Sequence, residues 1–177
     1  QDYQINVLCC TPTEYRMMAK LSNLNDYHLE HLHSAVSAGE PLNREVVEQF
    51  KNNFNLTVRD GYGQTESTLL IGFLKDTEPR PGSMGKGIPG SFVTIIDDDG
   101  NEVPPQTKGN IAVPLDLPAL FKGYYKDEER TKAASAGDYY VTGDLAHKDE
   151  DGYFWFEGRR DDIIISSGYT IGPFEVE

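Results

Sequence analysis

Residues 5–21, INVLCCTPTEYRMMAKL, and 31–59, HLHSAVSAGEPLNREVVEQFKNNFNLTVR, decide the fold. Ile5 to Cys10 reads as a buried strand. Thr11 stands where an N-cap would, Pro12 at the first helical position and Glu14 three residues after the cap. Tyr15, Met18, Ala19 and Leu21 then fall on one helical face. His31 to Ser37 reads as a second strand, and Ala38-Gly39-Glu40-Pro41 breaks it. Asn43 is a candidate cap for a helix that carries Val46, Val47, Phe50 and Phe54 at the helical period. Leu56 to Arg59 is a third short strand. Strand, helix, strand, helix, strand predicts a parallel sheet with helices packed on it, an α/β fold. Ligands of such sheets sit beyond the carboxyl ends of the strands. The loops at Gly39 and at Gly61 to Glu66 are therefore the places to look.

Beyond Lys75 the pattern changes. Short β-type segments alternate with turn residues as far as Gly158. Phe92 to Ile96, the tip Asp97-Asp98-Asp99-Gly100-Asn101 and Glu102-Val103 predict a hairpin. Asn110 to Val113 and Tyr139 to Thr142 are further strands. His147 to Asp149, the turn Glu150-Asp151-Gly152 and Tyr153 to Glu157 predict a second hairpin. Gly158 to Asp162 is a charged break, and Ile163 to Ser167 starts another strand. A β-rich subdomain thus follows an α/β part.

The chain has 177 residues, 16 basic against 29 acidic, and a net charge of −13. That balance argues against a nucleic-acid binder, which needs Lys and Arg to neutralise phosphates, but not against a small anionic ligand. The longest apolar runs, such as Ile163 to Ile165, are far too short to span a bilayer. Cys9 and Cys10 are adjacent in a strand, so their side chains point to opposite faces and suit neither a disulfide nor a metal. Reduced, buried thiols in a cytoplasmic protein are expected. The chain starts without Met and stops inside a patterned segment, and is expected to be an internal piece of a longer protein. Nothing in it sets an oligomeric state.

Several clusters could carry chemistry. Gly61-Tyr62-Gly63-Gln64-Thr65-Glu66 follows a strand; its glycines admit a ligand close to the backbone, Thr65 offers a hydroxyl and Glu66 a hard oxygen suited to Mg²⁺. An ordinary turn entering a helix is the plainer reading. Gly82 to Gly90 (GSMGKGIPG) is glycine-rich but lacks the end of a Walker loop, and reads as a series of turns. Asp144, at the end of a strand, is placed to accept from a ribose diol, or simply to cap a turn. Arg159 could donate to a sugar or phosphate oxygen, or pair with a nearby Asp on the surface. His28, His31 and His33 read as surface and structural histidines rather than metal ligands, and Asp97 to Asp99 as a solvated tip.

Taken in order, SAGEPL (37–42), GYGQTE (61–66), GSMGKGIPG (82–90), YVTGDLA (140–146) and GRRDDIIISSGYTIGPFEVE (158–177) resemble the adenylate-forming superfamily. The texture is most similar to its medium-chain acyl-CoA synthetase and acetyl-CoA synthetase-like branch. The resemblance implies part of a large N-terminal domain. Residues 1–75 would complete an α/β subdomain, 76–160 form a β-rich distorted barrel, and 161–177 hold the hinge and first strand of a C-terminal domain. It implies an enzyme that makes an acyl-adenylate from a carboxylic acid and Mg·ATP, then passes the acyl group to CoA.

By resemblance Gly39, Glu40 and Pro41 line the adenine mainly through backbone, with Asp60 among the nucleotide-binding residues and Tyr62 packing on the ring. Thr65 bonds the α-phosphate and Glu66 holds Mg²⁺, as the catalytic pair. Asp144 takes the ribose hydroxyls, assisted by Arg159. Gly63 falls at the floor of the acyl pocket, where a small residue leaves room for a chain longer than acetyl, and Asp161 at the hinge. Thr170 stands where many relatives carry Arg. The family's upstream phosphate loop and its C-terminal Lys are not in these 177 residues, so the isolated chain is expected to be inactive. Other readings are an acetate- or aryl-acid ligase, a carrier-loading adenylation domain, or a non-catalytic nucleotide-binding or interaction module.

Overall fold

The computed structural model describes residues 3–160 and, as backbone alone, two further strands at Ile164–Ser166 and Tyr169–Ile171. Strand β1 (Val7–Cys10) leads into helix α1 (Pro12–Ala19), which is entered as its sequence requires. The Thr11 hydroxyl accepts from the Glu14 N–H, and the Glu14 carboxylate accepts from the Thr11 N–H at 2.8 Å, a complete capping box. A short 3-10 turn at Leu24–Asp26 precedes β2 (Ser34–Ala38). Helix α2 (Arg44–Phe54) follows, and ends at Asn55 in the left-handed conformation. Asn43 does occupy the N-cap position, but its side chain makes no cap bond; it accepts instead from Arg16 at 3.1 Å.

Next come β3 (Val58–Gln64), β4 (Thr68–Gly72), β5 (Gly85–Gly87), β6 (Thr94–Ile96) and β7 (Gly109–Pro114). Helix α3 (Glu128–Ala133), β8 (Ser135–Ala136), β9 (Tyr139–Lys148) and β10 (Tyr153–Arg159) complete the main body. One mixed sheet runs in the order β1-β2-β3-β4-β5-β10-β9-β7-β6, with β8 on β9. The β1–β2 and β2–β3 pairs are parallel, and the rest are antiparallel. Strands on both sides of residue 75 therefore share one sheet. Its path is open: among the described residues no pairing closes the β-rich half.

Two hydrophobic clusters hold it. Tyr15, Val46, Val47, Phe50, Leu56 and Val58 pack the two helices on the parallel strands. Leu70, Ile71, Ile95, Ile111, Val113 and Phe154 fill the antiparallel half. β1 is less buried than its run of apolar residues suggests: among the described residues β2 is its sole strand partner, Val7 is 54% exposed, and Cys9 is exposed with Cys10 half-buried. The second strand starts at Ser34, three residues later than its composition suggests. GYGQTE is not a turn entering a helix. Gly61 to Gln64 belong to β3, and the chain turns back at Thr65-Glu66-Ser67 into antiparallel β4.

Candidate functional site

Strands β2 and β3 end side by side, and β9 and β10 bring their own candidates to the same place. Gly39, Glu40 and Pro41 follow β2; Asp60, Tyr62 and Gly63 lie on β3. Asp144 on β9 is the cross-strand partner of Arg159 on β10. All eight line one cavity of about 320 Å³. Thr65 and Glu66 are not in its lining; they sit on the adjoining turn between β3 and β4, Thr65 exposed and Glu66 half-buried. Asp161 lies outside the described residues, and of Thr170 only the strand backbone is described. A slightly larger, apolar cavity, lined by Leu8, Met18 and Phe50 among others, contains none of these groups.

The aim of Asp144 comes from a break in the ladder. On β7, Asn110 and Ala112 are two residues apart, yet they face Leu145 and Val141, four apart on β9. The excess falls at Thr142-Gly143-Asp144, a bulge that re-aims a side chain. Gly143, at φ 81°, supplies the left-handed turn it needs. Asp144 is 6% exposed and held from three sides. Tyr62 donates to Oδ2 at 2.6 Å, Gln64 Nε2 to the same oxygen at 2.8 Å, and the Asp144 N–H to the Thr142 hydroxyl at 3.2 Å. Burial, reinforced by the charge of Asp144, pushes the Tyr62 hydroxyl well above its usual range, so it stays a donor.

The other two carboxylates near the cavity differ. Burial pushes Asp60 up to about 7, against the opposing hydrogen bonds from the Gly61 and Leu42 backbone. Glu40 is held below its usual range by the Thr13 hydroxyl at 2.7 Å, aided by Arg16 at 3.0 Å. Its carboxylate is thus engaged by α1.

Gly63 packs against the returning strand. A Cβ there would run into the Thr68 carbonyl and come within 2.9 Å of the Leu69 Cα. A tryptophan at this position fits only if the β3–β4 turn moves, so the glycine is required by backbone approach whatever lies on the cavity side.

Glu66 accepts from the Tyr124 hydroxyl at 3.0 Å through Oε1, and its carbonyl accepts from the Phe121 N–H at 2.7 Å. Among the described residues no group of three or more His, Cys, Asp or Glu could hold a metal. A metal at Glu66 would take one carboxylate from these residues and the rest of its ligands from phosphate oxygens and water, which is how Mg²⁺ commonly binds. The donor set fits that ion. Three further side chains belong to this region and carry no assigned role in the sequence reading: Gln64, Tyr124 and Tyr140. Strand alternation is the signal that could have found Tyr140, since Tyr140, Thr142 and Asp144 are the buried positions of β9 from Tyr139 to Asp144.

Residues 1–125 match the family model described as AMP-binding enzyme, and the chain belongs to that family. Its particular likenesses are to acyl-CoA ligases. It is 66% identical, over 99% of its length, to the uncharacterized acyl-CoA ligase YtcI of Bacillus subtilis, covering 33% of that protein. It is 47% identical, again over 99% of its length, to the mitochondrial acyl-coenzyme A synthetase ACSM3 of Rattus norvegicus, covering 30% of it. Among solved structures, ATP-bound MatB from Rhodopseudomonas palustris superposes with a TM-score of 0.88 at 30% identity, over 97% of this chain and 34% of that one. The chain spans about a third of the length of the curated relatives it matches. Among the described residues no helix is long and apolar enough to cross a membrane.

Proposed function

We propose that the protein carrying this chain is an acyl-CoA synthetase. It joins a carboxylic acid, a medium-chain fatty acid in our reading, to the α-phosphorus of ATP, releases pyrophosphate, and passes the acyl group to the thiol of CoA. A carboxylate is a poor electrophile and hydroxide a poor leaving group; adenylation replaces the latter with AMP, which leaves readily. The observation that carries the reading is the placement of Asp144 and Arg159 as cross-strand partners on the cavity that also takes in Asp60 and the loop Gly39-Glu40-Pro41.

In this reading Asp144, held by Tyr62 and Gln64, accepts from the ribose hydroxyls, with Arg159 beside it. The backbone of Gly39 to Pro41 and the Asp60 carboxylate line the base, against the wall that Tyr62 forms. Thr65 donates to the α-phosphate from the neighbouring turn. Mg²⁺ at Glu66 would neutralise phosphate charge as pyrophosphate departs. Gly63 stands on the acyl side, and Asp161 keeps its role as hinge. A cytoplasmic setting belongs to the same proposal.

ATP–pyrophosphate exchange with C2 to C10 acids, measured on the complete polypeptide, tests the proposal. Acid-dependent exchange strongest at medium chain length is expected. A protein that binds ATP yet exchanges pyrophosphate with no acid would overturn it.

A further inference from the structure

The two proposed ligand carboxylates, Glu66 and Asp144, are joined through neutral side chains. Tyr124 donates to Glu66 Oε1 at 3.0 Å. Tyr140 donates to Gln64 Oε1 at 3.0 Å, and Gln64 Nε2 donates to Asp144 Oδ2 at 2.8 Å. These two arms meet at the Phe121 ring, which packs edge-on against both tyrosines, with centroids 4.9 and 5.5 Å away. The direction of donation is fixed. A carboxylate accepts only, so the Gln64 amide must turn its NH₂ to Asp144, which leaves its carbonyl for the Tyr140 proton. Tyr140 is 3% exposed, so water cannot readily replace that bond.

We propose that Tyr124, Tyr140 and Gln64 are positioning residues that hold Glu66 and Asp144 as one unit, so that metal binding and ribose binding support each other. The inference rests on the assignment of Glu66 to the metal and Asp144 to the ribose. None of the three needs to touch substrate. They fix the spacing between two like-charged groups that must engage opposite ends of one nucleotide. Networks of this kind are worth more than their separate bonds, and only coupled measurements apportion them.

The test uses Tyr140→Phe and Tyr124→Phe in the complete polypeptide. Both keep the ring and its packing and remove only the hydroxyl. Pyrophosphate exchange is followed against Mg²⁺ and against ATP or 3′-deoxy-ATP. A lost bond of ordinary strength is worth about 5-fold. Tyr140→Phe is expected to raise the KM for ATP and the half-saturating Mg²⁺ together, each about 5-fold. With 3′-deoxy-ATP, which already lacks a ribose contact, the same variant should cost about 2-fold or less. Tyr124→Phe should move the Mg²⁺ requirement first and the ATP preference with it.

Equal effects on ATP and 3′-deoxy-ATP, or a Mg²⁺ shift with no ribose shift in both variants, would overturn the coupling. A change in kcat alone with unchanged KM values would do the same. If Tyr140→Phe melts out, the half-buried Tyr124→Phe decides. A wild-type protein whose exchange shows no preference for ATP over 3′-deoxy-ATP and no Mg²⁺ requirement would instead refute the underlying assignments, an outcome visible before any variant is made.

Discussion

Asp60 shows how the cavity trades stability against chemistry. Its carboxyl, about 7 in the folded chain against an ordinary 3.8, is raised by burial. The favourable contribution of such a group is full at acid pH and is lost as pH rises through the folded value. Asp60→Asn removes that loss. The variant should match the parent's stability near pH 4 and exceed it at pH 8, by up to about 4 kcal/mol at about 1.4 kcal/mol per pH unit. Melting curves at the two pH values check this; a variant less stable at pH 8 than the parent would show that burial does not dominate there. Nucleotide affinity should follow the opposite course, because Asp60 gains its accepting charge as pH rises. Asp60 itself could be named by resemblance, but its raised pKa was not legible: it depends on burial that outweighs the hydrogen bonds from the Gly61 and Leu42 backbone, which no local pattern encodes.

At the scale of elements, local chemistry and tertiary pairing divide the credit. The start of α1 was readable because Thr11, Pro12 and Glu14 settle it within four residues. The path of GYGQTE was not. Its glycines signal a loop, yet its backbone is claimed by β2 on one side and β4 on the other, and sheet pairing overrides propensity. β9 was split for a related reason. Gly143 looks like the end of Tyr139–Thr142, whereas it is the kink inside a strand that runs to Lys148. That kink aims Asp144. Gly143→Ala forces a Cβ into the left-handed region, a strain of about 1–2 kcal/mol. The expected outcome is a modest fall in thermal midpoint with a larger rise in the KM for ATP, since the bulge must shift to relieve the strain. A fall in stability with an unchanged KM would detach the bulge from the site.

Across the whole molecule, one sheet carries residues from four separate segments to a single cavity, and the net charge of −13 makes that arrangement demanding. Three of the carboxylates near the site have charged or polar partners: Glu40 is tied to Thr13 and Arg16, Asp144 to Tyr62 and Gln64, Glu66 to Tyr124. The motif residues could be picked from the sequence because they recur in fixed order. Their supports, Tyr124 and Tyr140, lie 58 and 76 residues from the groups they hold, and only the fold connects them. Asp144 is the most direct test of the whole account. In ATP–pyrophosphate exchange by the complete polypeptide, Asp144→Ala removes charge-assisted hydrogen bonds worth about 1.5–3 kcal/mol each. The KM for ATP is expected to rise at least about 10-fold, with the loss much smaller for 3′-deoxy-ATP. A KM within about twofold of the parent, in a variant that still folds, would contradict the assignment of this cavity to the nucleotide.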